Sequence, residues 1–281
     1  MTNSAASVWE AEIGAWARKL KAGGRRPQTI GLRTAHISML GRWAQDRGPW
    51  DLGTGDLEAW TASKDWASST RRSVRSSLRS FYTWGLTVRR IGWNPASDLA
   101  SIKTMKPVPH PCDLDVLKAA VAAAPAREVL MIRLSAECGL RRGEVAQVHP
   151  RRDVQPDLLR SSLLVHGKGG KQRLIPLPEM LGAELARFAR DEPGYLFPGR
   201  IEGHLSPAWV GRVVSRWLAE GWTMHSLRHF FATQTFWQTR NLLAVQQQLG
   251  HASPATTQDY IAPRLTDQQE LVDYAAALLS A

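Results

Sequence analysis

Trp9, Ile13, Trp16, Ala17 and Leu20 recur at the spacing of one helical face, and Gly23-Gly24 closes that run. Ile30, Ile37, Leu40 and Trp43 mark a second helix, and a shorter one with Leu57 and Trp60 follows the Gly53-Thr54-Gly55 turn. Ser69-Thr70 offers an N-cap to a fourth helix that points Val74, Leu78 and Phe81 inward. Four amphipathic stretches with no strand-like alternation among them predict a helical bundle. Asn94-Pro95 closes this part, and Lys103–Pro111, with prolines at 107, 109 and 111, predicts a stiff extended linker.

Beyond the linker, Leu114–Ala124 and Val129–Leu140 carry helical patterns, the first of them rich in alanine. One strand signal is strong. Leu163-Leu164-Val165-His166 and Arg173-Leu174-Ile175-Pro176-Leu177 flank Gly167-Lys168-Gly169-Gly170-Lys171, which predicts a β-hairpin with a glycine- and lysine-rich tip. From Pro178 onward the pattern is mostly helical. The expected fold is therefore mainly α with a small β-hairpin or sheet, in two domains: a helical one at 1–102, a linker at 103–111 and a mixed, mostly α domain at 112–281. A chain of 281 residues is ample for two cores.

Charge sharpens this picture. The formal net charge is +11, and residues 1–104 hold sixteen Lys or Arg against eight Asp or Glu, whereas residues 105–281 hold twenty against seventeen. The first part is the one that seeks a polyanion. On the fourth helix Arg71, Arg75 and Arg79 fall four residues apart with Arg72 beside them, and no acid intervenes between Asp65 and Asp98. This stripe is expected to contact DNA phosphates; the alternative is a solvated surface face. Cys112 and Cys138 are too few for a disulfide framework and lack a CxxC spacing, which points to a reducing compartment. No secretory pattern is visible around Val8–Ile13, and no run approaches the roughly 20 apolar residues of a membrane span, so a cytoplasmic protein without a membrane partner is expected.

The last third concentrates reactive side chains. His225-Ser226-Leu227-Arg228-His229 is followed by Leu249-Gly250-His251 and, nine residues after that histidine, by Tyr260. Imidazoles, a guanidinium and a phenol in a basic protein suit phosphoryl transfer, because a tyrosine can attack a phosphodiester and hold it covalently. With an ordinary pKa near 10, that hydroxyl needs a proton acceptor and fixed positive charge around the phosphate. Arg228 lies one turn from His225, so both can face one phosphate. His225 and His229 also have the i, i+4 spacing of metal ligands, but no glutamate base lies between them and an arginine beside a cation is repulsive. His229 is expected to pack, or to support the residues that contact the phosphate. Tyr82 and Tyr195 stand in apolar contexts, and Tyr274 belongs to a trailing helix, Gln269–Leu279, with Val272, Ala275, Ala276 and Leu279 on one face.

Gly139-Leu140-Arg141-Arg142-Gly143-Glu144, Gly167-Lys168-Gly169, His225-x-x-Arg228, Leu249-Gly250-His251 and Tyr260, in that order, resemble the signature set of the tyrosine recombinases. The first part of the chain resembles their core-binding domain, so the resemblance covers nearly the whole length. It implies that Arg141 and Arg228 clamp the non-bridging oxygens of the scissile phosphate through charge-assisted hydrogen bonds, with Arg141 rather than Arg142 in the active position and Glu144 as a supporting acid. It implies Lys168 as the general acid for the departing 5′-oxygen. Lys171 competes for that role, since Gly169-Gly170 can present either amine, or both amines merely neutralise phosphate. His225 is implied as the proton acceptor for Tyr260, His251 as a second imidazole on the phosphate, and Tyr260 as the nucleophile. The chain departs from the family pattern at Glu137-Cys138, ahead of Gly139, and at Gln238-Thr239-Arg240-Asn241, which lacks the usual glycine.

The activity so implied is site-specific strand exchange on double-stranded DNA through a 3′-phosphotyrosine link and a Holliday junction, with no metal or nucleotide cofactor. Four protomers act together, docked through the trailing helix, with accessory DNA-bending or directionality proteins as further partners. Integration or excision of a phage or mobile element is the expected setting, and Xer-like resolution of chromosome or plasmid dimers the alternative. A type IB topoisomerase and a non-catalytic DNA-binding protein are the rivals from other classes.

Overall fold

The computed structural model describes residues 3–103, 108–155, 161–250, 257 and 261, with the main chain alone for Asn3, Ser4 and Lys168. It divides into two compact units, Met1–Met105 and Lys106–Ala281. Four helices build the first: α1 (Asn3–Ala22), α2 (Pro27–Ala44), α3 (Thr54–Ala62) and α4 (Ser68–Thr87), with no strand among its described residues. Pro27 suits the first position of α2, where its missing N–H has no intrahelical partner to lose. α4 begins at Ser68, ahead of the Ser69-Thr70 cap that the sequence predicts, and no side chain caps it. Instead the Arg71 guanidinium binds the carbonyls of Lys64 and Trp66, both at 2.9 Å, and fixes the approach to the helix.

Indole and phenyl rings fill this unit's interior. Trp9, Trp16, Ile37, Leu40, Leu57, Trp60, Val74, Leu78, Phe81 and Tyr82 are buried. The Trp50 ring lies flat on Phe81 with centroids 5.1 Å apart, and Trp16 meets the same ring edge-on at 5.3 Å. Such large buried rings give a unit this small the apolar area that its four helices need.

The second unit runs α5 (Leu114–Ala123), α6 (Ala126–Ala136), α7 (Arg142–Ala146), α8 (Pro150–Asp153), β1 (Val154–Gln155), β2 (Ser162–His166), β3 (Gln172–Pro176), α9 (Glu179–Asp191), β4 (Pro198–Ile201), α10 (Pro207–Ser215), α11 (Met224–Thr239) and α12 (Leu242–Leu249). β1, β2 and β3 form an antiparallel sheet in that order, and the β2–β3 hairpin sets Leu163 opposite Ile175, Val165 opposite Arg173 and His166 opposite Gln172. The strongly patterned hairpin is where the sequence places it, whereas β1, at two residues, is too short to show a period. The core collects Leu130 and Leu134 of α6, Leu163 and Ile175 of the hairpin, Leu181 and Leu185 of α9, Val210 and Val214 of α10 and Leu227 of α11.

The chain enters this unit against the start of α11. The His110 ring stacks on Trp222 at 4.1 Å with 4° between planes, and the Cys112 N–H donates to the Ser226 carbonyl at 2.9 Å. Among the described residues no helix is long and apolar enough to cross a membrane.

Candidate active site

α6 stops at Ala136, short of the Leu140 expected from its pattern, because the chain turns through the left-handed region at Gly139, φ 69°. A Cβ there would lie 2.7 Å from Phe231 and 2.8 Å from Leu249, so glycine is required on two counts. The turn delivers Arg141 as the N-cap of α7 and Glu144 as its third residue. Glu144 Oε2 accepts from the Arg141 backbone N–H and Oε1 from Arg141 Nη1, both at 2.9 Å, which satisfies one of the free amides at the helix start.

Glu144 is buried, and two further arginines converge on it. Arg173, inward-facing on β3, grips it with both terminal nitrogens, at 3.0 Å to Oε1 and 2.8 Å to Oε2, while Arg228 Nη1 stands 3.7 Å from Oε2. Burial alone pushes this carboxyl up, but the Arg173 fork, the Arg141 N–H and the Arg228 charge together outweigh it and hold the pKa below the usual carboxylate value. Glu144 is ionised and serves as the common anchor of three guanidiniums.

The same three arginines cap α12. Arg228, fully buried on α11, donates through Nη1 to the Gly139 carbonyl and through Nη2 to the Leu249 carbonyl at 2.7 Å. Arg141 Nη1 also reaches Leu249 O, at 3.3 Å, and Arg173 Nε donates to Gln248 O at 2.7 Å. The last carbonyls of a helix lack intrahelical partners and carry the negative end of its dipole, so cations are the natural caps. Gly250 follows at φ 64°, pressed against Arg173 so closely that a Cβ would lie 3.0 Å from Arg173 Cδ. The next residue is His251.

His225 and Arg228 come from the first turns of α11. The Thr223 hydroxyl accepts from the His225 N–H at 3.2 Å, and Ser226 Oγ accepts from the Thr223 N–H at 3.4 Å, fixing where the helix starts. His225 is exposed on one side, yet burial of the rest of its ring, then the fields of Arg228, Arg141 and Arg142, keep its pKa below the ordinary value. It is neutral at pH 7. His229 is buried, with its ring edge-to-face with His225 at 4.6 Å.

Lys168–Gly170 forms the hairpin tip, closed by a 2.7 Å hydrogen bond from the Gly167 N–H to the Lys171 carbonyl. Gly167 faces the Glu144–Arg173 pair: a Cβ on it would lie 3.8 Å from Glu144 Oε1 and 3.9 Å from Arg173 Nη1. The tip therefore adjoins the shared acid, and Lys171 is exposed beside it. At the foot of the hairpin tip, His166 Nε2 lies 3.0 Å from the buried Asp153 Oδ1, and Gln172 Nε2 is 3.2 Å from His166 Nδ1. The Lys168 side chain, His251, Tyr260, and Gln269–Leu279 with Tyr274 lie outside the described residues.

Two tyrosines are accounted for by packing. Tyr82 is wholly buried in the first unit, and burial drives its phenol far above the ordinary value. Tyr195 sits between the rings of His149 and His204, 5.2 Å from each, under the Arg152 guanidinium. Arg173 is the residue that sequence reasoning missed. Its signal was present: on β3 the inward positions are Arg173 and Ile175, and a charge at an inward position of an alternating strand demands a buried partner.

In the first unit, three arginines of the α4 stripe bind main chain. Arg71 holds Lys64 and Trp66, Arg75 places Nε and Nη2 on Leu99 O at 2.9 and 2.6 Å, and Arg79 Nη1 lies 3.3 Å from Ser97 O. Arg72 lines a groove between α2 and α4 together with Arg33, Thr29, Ser69, Ser73 and Ser76. Arg33 crosses that groove, donating to Ser80 Oγ at 2.8 Å.

Residues 113–266 match the model of the phage integrase family. That span is more than half of the chain and includes Arg141, Lys168, Arg173, His225, Arg228, His251 and Tyr260. The chain belongs to the phage integrase family of tyrosine recombinases. Among curated members, tyrosine recombinase XerC of Xanthomonas campestris pv. campestris is 32% identical over 252 residues, covering 83% of this chain and 77% of its own. XerC of Chromobacterium violaceum is 31% identical, over 86% and 87%, and XerD of Caulobacter vibrioides 33%, over 75% and 73%. Among solved structures, a lambda integrase (75–356) dimer bound to a COC′ core site gives a TM-score of 0.73 at 19% identity, covering 91% of this chain and 96% of that one. XerH bound to palindromic difH gives 0.69 at 18%, covering 93% and 82%. These two likenesses show a shared fold. As a tyrosine recombinase the protein is a DNA strand transferase that performs site-specific recombination.

Proposed function

We propose that Tyr260 is the nucleophile and that Arg141, Lys168, His225, Arg228 and His251 serve it. The observation that carries this reading is the convergence of Arg141, Arg228 and a neutral His225 within one site. The Tyr260 oxygen bonds to phosphorus and the bond to O5′ breaks; the phenolic proton passes to His225, and O5′ takes a proton from Lys168. Arg141 and Arg228 balance the charge that builds on the non-bridging oxygens. His251 donates to the same phosphate. The 3′-phosphotyrosine keeps the bond energy, and a 5′-hydroxyl from the partner duplex reverses the step.

Duplex DNA is also held by the first unit, where Arg72 and the exposed Arg79 join Arg33 and the hydroxyls of the α2–α4 groove in contacting phosphates. Arg71 and Arg75 support that surface by holding its flanking segments, and Lys171 adds charge beside the hairpin tip. Four protomers act on two sites through a Holliday junction, a reading supported by the lambda integrase tetramer bound to one. Accessory DNA-bending or directionality proteins complete the assembly. The XerC and XerD relatives favour dimer resolution as the setting, while the glycine-free 238–241 turn favours integration or excision.

The test uses a nicked suicide duplex built on the sequence that the protein itself enriches from a random duplex pool. Wild type is expected to form a denaturation-resistant DNA adduct, and Tyr260→Phe none, with DNA affinity within about threefold. An adduct in the variant, or none in wild type, overturns the reading.

A further inference from the structure

Arg173 links three parts of the site through one side chain. Its three donor nitrogens are divided between two elements: Nη1 and Nη2 on the Glu144 carboxylate at 3.0 and 2.8 Å, and Nε on the Gln248 carbonyl at 2.7 Å. It stands on β3, three residues beyond the Lys168–Gly170 tip, and Gly167 at the other side of that tip faces its guanidinium. Gly250, immediately before His251, packs on its side chain. One side chain thus touches the acid that holds Arg141, the foot of the hairpin tip that carries Lys168 and the turn that leads to His251.

We infer that Arg173 is a positioning residue for strand cleavage, which sets the hairpin tip in register with Arg141 and with the end of α12. This assignment rests on the proposed roles of Tyr260 and Lys168. A planar fork with a third donor set back along the stem is needed to reach a carboxylate and a carbonyl at once. Lysine gathers its three donors on one compact nitrogen and cannot reproduce both the two-pronged grip on the carboxylate and the third donor set back along the stem. Removing the fork leaves β3 paired to β2 through its backbone, so the hairpin persists while its tip loses its reference to the acid. A displacement of about 1 Å at a reacting group is enough to cost about 100-fold in rate.

The experiment measures single-turnover adduct formation by the full chain on the suicide duplex, as a rate at saturating DNA and as the DNA concentration giving half that rate. Arg173→Gln is expected to lower the rate about 100-fold while the half-saturating concentration stays within about threefold. Arg173→Lys, which keeps the charge and is the variant surer to fold, is expected to recover less than about a tenth of wild-type rate. On a duplex with sulfur in place of the bridging O5′, the departing thiolate needs no proton, so Arg173→Gln is expected to regain at least about tenfold relative to its rate on oxygen. Three results overturn the assignment: a rate close to wild type in Arg173→Gln, full recovery by Arg173→Lys, or a loss that sulfur leaves untouched. If wild type itself forms no adduct, the reading of Tyr260 falls and this assignment with it; if wild type does and Arg173→Gln keeps pace, only the assignment falls.

Discussion

Glu144 is a carboxylate kept charged in a protein interior by guanidiniums that face it from α7, β3 and α11. Because its folded pKa lies below the unfolded value of about 4.5, its contribution to stability is complete above pH 4.5 and is lost as pH falls through the folded value. Urea unfolding followed from pH 7 down to pH 3 is expected to show an acid limb that is shallower in Glu144→Gln than in wild type; equal limbs would remove Glu144 as a source. Asp153, held below its ordinary value despite burial by Arg152, the His149 N–H and His166, adds to the same limb in both proteins. His225 has the opposite chemistry. Burial and the neighbouring guanidiniums keep its imidazole unprotonated, so the rate of adduct formation is expected to stay level through pH 6.5 and to fall only below it, measured at saturating DNA. At this scale the sequence was most readable where a residue type is rare and specific in context, as with Arg141 after Gly139-Leu140. Arg173 was hidden because its partner, Glu144, is 29 residues away and only the fold brings them together.

Among elements, the long helices announce themselves by the spacing of their buried tryptophans and leucines, and α1 to α4 follow that spacing closely. α7, α8 and β1 span five, four and two residues and are too short to show any period, so they are products of tertiary packing rather than of local preference. The end of α6 was misjudged for a related reason: apolar Cys138 and Leu140 extend the helical pattern, but both are buried by the turn at Gly139 instead. That turn makes a sharp prediction. Gly139→Ala must adopt a left-handed backbone and press on Phe231 and Leu249, which is expected to cost about 2–4 kcal/mol in unfolding free energy, read from the urea midpoint. A variant as stable as wild type would show that the α6–α7 connection can relax without disturbing Arg141.

For the whole molecule, charge is distributed by unit: Met1–Met105 carries the larger excess, and most of it lies on helices rather than in loops. Of the stripe that the sequence displays on α4, Arg71, Arg75 and Arg79 hold main chain, and Arg72 lines a groove with Arg33. Changing Arg33 and Arg72 together to Ala is expected to reduce the slope of log affinity against log salt by about two, whereas Arg75→Ala should lower the melting temperature before it alters that slope. A double variant with an unaltered slope would take the groove out of the DNA interface.

The linker's far end is fastened to the cap of α11, through His110 on Trp222 and Cys112 on Ser226. That anchorage falls at the foot of the helix bearing His225 and Arg228, so the entry to the second unit and the first turn of its reactive helix are one hydrogen-bonded corner.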